Sequence, residues 1–97
     1  MGNEEFELIS RKAVADWYSQ NREKITIDNV YLVWVCKALQ NNKALLATTK
    51  PDGMYFEVTY NGDKNEMYLD AYSKVENVLI PIKETSYEKS IDKSAKN

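Results

Sequence analysis

The chain has no histidine, a single cysteine, two prolines and three glycines in 97 residues, and each shortage removes a class of explanation. Without histidine the commonest general base and metal ligand is missing, so Ser-His-Asp and Cys-His arrangements are excluded. One thiol, Cys36, makes neither an internal disulfide nor a thiolate metal site, and its place in an apolar run reads as core. The glycines are Gly2, Gly53 and Gly62, one near the start and two in turns, so no glycine-rich loop is available to cradle a phosphate. Long hydrophobic runs are missing too: the longest, residues 30–36, falls far short of the roughly 20 residues that span a bilayer. With no charged-then-apolar leader at the start, these shortages predict a cytoplasmic protein with no cofactor, no metal and no membrane partner.

An excess of positive charge is also lacking. The formal charge is −2, whereas surfaces that neutralise phosphates carry a clear surplus or stripe of Lys and Arg. A hydrophobic content of 43% with 29% charged residues describes one globular domain with one core.

What is present is strongest in residues 54–72, MYFEVTYNGDKNEMYLDAY. Met54, Phe56, Val58 and Tyr60 share one parity and Tyr55, Glu57 and Thr59 the other, the period of a half-buried strand. Met67, Leu69 and Ala71 then alternate with Glu66, Tyr68, Asp70 and Tyr72. The Asn61-Gly62 pair between them predicts a hairpin turn with Gly62 at positive φ.

Upstream, residues 4–20 place Phe6, Ile9, Ala13 and Trp17, flanked by Val14, at helical spacing, with Asn3 as N-cap and Glu4, Glu5 and Glu7 in the favoured first turn. Arg11, Lys12 and Asp16 fall away from that stripe and are expected in solvent. Residues 30–38 are β-branched and aromatic on both parities, with Leu32, Trp34, Cys36 and Ala38 on one and Tyr31, Val33, Val35 and Lys37 on the other. That pattern predicts a central strand in which Trp34 is buried, as Trp17 is in the helix. Residues 43–49 read as the next antiparallel strand, closed by Lys50-Pro51-Asp52-Gly53. Residues 77–82 read as a short fifth strand, placed at an edge by Pro81. Residues 84–97 have little to bury and are expected to form a flexible tail outside a domain of residues 1–83.

The expected architecture is α+β: an N-terminal helix packed on one face of a four- to five-stranded antiparallel β-meander. Its other face would show Tyr55, Glu57, Tyr68, Asp70 and Tyr72, and tyrosines among carboxylates suit recognition of a protein partner. The same tyrosines could instead stabilise the sheet as cross-strand pairs. Glu57 and Asp70 could sit together as a carboxylate pair, but acidic residues on a solvated face are common and no enzyme is predicted.

The central block, VYLVW followed by CKALQNNKALL, then DGMYFEVTYNGDK and LDAY, resembles a family of short phage and prophage proteins of Gram-positive hosts, catalogued as a domain of unknown function. The resemblance runs roughly from Phe6 to Ile82 and carries no catalytic or binding residues with it. It implies a small accessory protein made inside the infected cell, binding and modulating a host or phage protein, for example as an inhibitor of a defence or DNA-processing factor. The alternative is a nucleic-acid-binding auxiliary that stacks bases on sheet aromatics, which Glu57, Glu66 and Asp70 oppose by repelling phosphates.

Overall fold

A computed structural model describes residues 1–82. Helix α1 (Asn3–Asn21) is followed by a short 3-10 turn (Ile27–Asn29) and strands β1 (Val30–Ala38), β2 (Asn41–Thr48), β3 (Met54–Asn61) and β4 (Glu66–Ser73). The strands form one antiparallel sheet in sequential order, β1-β2-β3-β4, so the predicted α+β meander with an N-terminal helix is the observed fold. The predicted tail, residues 84–97, lies outside the described residues.

Alternation in β2 and β3 builds the core. Asn42, Ala44, Leu46 and Thr48 of β2 and Met54, Phe56 and Val58 of β3 are buried on the side that faces α1, and Phe6, Val14, Ala15 and Tyr18 of the helix close over them. Trp17 and Tyr18 meet Phe56 edge-on, with ring centroids 5.2 and 6.4 Å away.

The helix is rotated from the predicted stripe. Ser10 and Tyr18 are buried whereas Ile9 is exposed and Trp17 only half-buried, because Tyr18 and Arg11 are drawn inward by polar partners that an apolar stripe does not reveal. The Tyr18 hydroxyl donates to the Asp52 carboxylate in the β2–β3 turn, and Arg11 Nε donates to the carbonyl of Val30 at 3.1 Å instead of lying free in solvent. Gly2 takes the N-cap position predicted for Asn3, whose side-chain oxygen instead accepts from Asn42 Nδ2 at 3.5 Å.

Four further expectations are corrected. β1 is an edge strand, not a central one. Its pairing with β2 shifts between Leu32 and Trp34, where Val33 is the extra residue of a bulge. Leu32 therefore faces the helix while Trp34 and Cys36 turn to the opposite face, exposed and outside the core. Residues 77–82 form no strand and are exposed throughout, since nothing lies beside them to complete a ladder. Lastly, Gly62 does not carry the positive φ; in that turn Asn65 does, at 52°. Glycine is needed at 62 for a different reason: a Cβ there would stand 2.1 Å from the carbonyl oxygen of Gln40 in the neighbouring β1–β2 turn.

Candidate functional site

Among the described residues α1 covers only one side of the sheet and leaves the other face open, and the pairing fixes that face's membership. Tyr31, Ala47, Tyr55 and Tyr72 form one row across the four strands. The next is Trp34, Leu45, Glu57 and Asp70, and the one after it Cys36, Lys43, Thr59 and Tyr68. All five residues singled out in the sequence, Tyr55, Glu57, Tyr68, Asp70 and Tyr72, stand on this face. Tyr72 is directly opposite Tyr55, and Asp70 directly opposite Glu57.

The structure adds two residues that sequence reasoning missed. Tyr31 and Trp34 bring the aromatics on this face to five, and Tyr31, Trp34, Tyr68 and Tyr72 are each between 40% and 52% exposed. Nothing in the apolar pattern marks them: strict alternation puts Tyr31 and Trp34 on opposite faces, and only the extra residue at Val33 unites them.

Electrostatics on the face are mixed and local. Lys43 Nζ lies 3.5 Å from Glu57 Oε1, so this carboxylate is partly neutralised, while Asp70 has no basic partner within ion-pair distance among the described residues. Lys74 Nζ sits 5.8 Å from the centroid of the Tyr55 ring, a cation–π arrangement at the edge of the patch. The neighbouring Glu66 carboxylate, as hydrogen-bond acceptor and through its charge, pushes the Tyr68 hydroxyl above its ordinary pKa. At the two ends of the face are shallow recesses of about 310 Å³ each. One lies between Tyr31, Tyr55, Pro51 and Lys74, the other beside Cys36, Lys43 and Thr59.

Glu57 and Asp70 are neighbours, but they lie on an open sheet face with Glu57 committed to Lys43. Among the described residues, no three His, Cys, Asp or Glu side chains cluster as a metal site requires. No helix among them is long and apolar enough to cross a membrane.

Among the described residues, fold and face together define a class: one helix on a four-stranded α+β meander whose other sheet face is open and rich in aromatics. Residues 7–82 match the model of a family of unknown function, DUF6275, and the chain belongs to that family. No curated protein and no solved structure matches it.

Proposed function

We propose that the protein is a small non-catalytic accessory factor that binds a protein partner through the bare face of its sheet. The observation that carries this is the gathering of Tyr31, Trp34, Tyr55, Tyr68 and Tyr72 from three strands onto one uncovered surface. Large, stiff aromatic side chains supply contact area at small entropic cost, and Tyr and Trp dominate binding hot spots. Asp70 and Glu66 at the β4 side favour a partner with basic groups around an apolar centre. The likeness of the central block to phage and prophage proteins supports a setting in the cytoplasm of a Gram-positive host cell. A host or phage protein, such as a defence or DNA-processing factor, is the kind of target meant.

The test is affinity capture from host lysate, followed by titration of the captured protein against single variants. Trp34→Ala or Tyr72→Ala should weaken binding by about 2 kcal/mol, roughly thirty-fold, with the circular dichroism spectrum unchanged. The proposal fails if the wild-type chain instead binds single-stranded oligonucleotides in a salt-sensitive way, more tightly after Glu57→Gln and Asp70→Asn and not at all after the aromatic changes.

A further inference from the structure

A second surface, independent of the bare face, lies at the outer edge of β4. Beyond Ser73 the chain runs on without joining any element, and its apolar side chains stand in water: Val75 is 98% exposed, Leu79 89% and Ile82 79%, with Val78 and Ile80 exposed as well. This is strand-forming composition with no strand beside it. β4 has the complementary vacancy, since it pairs with β3 on one side and with nothing described on the other.

The hydrogen bonding says which groups wait at that edge. The Lys74 amide donates to the carbonyl of Gly53 at 2.8 Å, extending the β3–β4 ladder by one pair. Successive residues of an antiparallel strand point their N–H and C=O groups to opposite sides. The amides of Glu66, Tyr68, Asp70 and Tyr72 therefore serve β3, and those of Met67, Leu69, Ala71 and Ser73 point outward, with no partner among the described residues.

We propose that two copies of the chain form a two-fold dimer in which residues 75–82 of each add antiparallel to the outer edge of β4 of the other. A two-fold axis at Val75 makes the pairing reciprocal, the closed arrangement that identical chains favour. It sets Glu76 opposite Lys74, Val78 opposite Tyr72, Leu79 opposite Ala71 and Ile82 opposite Tyr68. Opposite charges thus meet twice, and Val78 and Leu79 meet Tyr72 and Ala71, while Ile80 falls opposite Asp70. A slip of two residues would set Lys74 against Lys74 and lose both Glu76–Lys74 pairs, while still placing an apolar residue, Val78, against Asp70. Pro81 falls where an N–H would have to be donated to Leu69, so the ladder ends at Leu79, as an edge proline requires. Folding back on its own β4 would demand a reversal immediately after Lys74, which instead continues the line of β4 through its bond to Gly53. The other free edge, β1, is interrupted by the bulge at Val33 and suits a regular ladder poorly.

Light scattering on the full chain during gel filtration should give twice the 11.2 kDa chain mass. Leu79→Pro removes the last donor at each end of the new ladder and alters a side chain that is 89% exposed in its own chain, so it should yield a monomer with an unchanged circular dichroism spectrum. A wild-type monomer at every concentration up to about 1 mM, or a dimer that Leu79→Pro leaves intact, overturns the proposal. A cross-linking experiment reads the pairing itself, in a Cys36→Ser background that removes the exposed native thiol. Chains carrying Ala71→Cys and chains carrying Leu79→Cys should form disulfides only when mixed, because the two positions are about 5.5 Å apart across the interface and distant within it. Equal cross-linking of either variant with itself, or none in the mixture, rejects this arrangement in favour of another occupant of the edge, including residues 83–97 of the same chain.

Discussion

Leu39 is the residue whose backbone least suits its side chain. It turns β1 into β2 with φ at 57°, and its side chain is 91% exposed. A branched aliphatic residue in the left-handed region costs roughly 1–2 kcal/mol, and here no burial offsets it. Replacing Leu39 by Gly or Asn should raise stability by about 0.5–1 kcal/mol, seen in urea unfolding as a higher midpoint with the same slope. Tyr18 and Asp52 give a second test at this scale, in pH. The hydrogen bond that Tyr18 donates to Asp52, together with burial and the carboxylate's charge, pushes its pKa up to about 12. Partial burial acts to raise the Asp52 pKa, but hydrogen bonds from Tyr18 and from the Met54 amide outweigh it and hold the carboxyl below its ordinary value of 3.8. The raised phenol stabilises the fold fully below the unfolded tyrosine pKa of about 10, and that contribution is lost as pH climbs through its folded value. The depressed carboxyl contributes above the unfolded aspartate pKa of about 4 and fades as pH falls through its lower folded one. Stability should therefore drop at both extremes, and Tyr18→Phe should flatten the alkaline limb and soften the acid limb. An unchanged alkaline limb in thermal melts would show that the pair does not link α1 to the β2–β3 turn.

At the scale of elements, the two aromatic positions Phe56 and Trp34 separate core from surface. Phe56 is fully buried under Trp17 and Tyr18, and Phe56→Ala should cost about 3–5 kcal/mol. Trp34→Ala should cost under about 1 kcal/mol, since the indole lies on the open face. Both values follow from chemical denaturation, and equal losses would contradict the observed β1 register. The helix and the β3–β4 hairpin were legible in the sequence because their apolar spacing follows one period without a break. The tyrosines and carboxylates of that hairpin could be placed on a common face for the same reason. β1 could not be read so far: apolar residues on both parities suggested burial between neighbours, whereas one set covers the core and the other is simply left bare. The rotation of α1 was hidden because Ser10 and Tyr18 are held inward by packing and by Asp52, not by hydropathy. Residues 77–82 have the composition of a strand, and composition does not show whether a pairing partner exists in the same chain.

For the whole molecule, the consequence is a division of labour between the two sides of a single sheet. One side packs against α1, and the aromatics of the other are held only by neighbours on the sheet, such as Tyr72 and Lys74 beside Tyr55, so under the proposed binding role substitutions there are expected to affect binding more than stability. The edge of β4 lies between the two sides, and pairing through it would set two bare faces side by side in one continuous sheet of double width.

Val33 gives this division a peculiar dependence on counting. Every side chain of β1 after it is assigned to core or surface not by its own chemistry but by the one surplus residue before it. Removing Val33, with no other change, would make Leu32 and Trp34 neighbours in a regular ladder and leave Trp34 and Cys36 on the open face and Val35 toward the helix. The deleted chain is expected to keep the core intact and to change stability by no more than about 1 kcal/mol in denaturant unfolding. Val33→Ala, which keeps the count, should be nearly silent. The strand thus carries a reading frame set by one unpaired residue: a ladder that took Val33 in would exchange the interior and exterior of the rest of β1 while leaving every amino acid as it was.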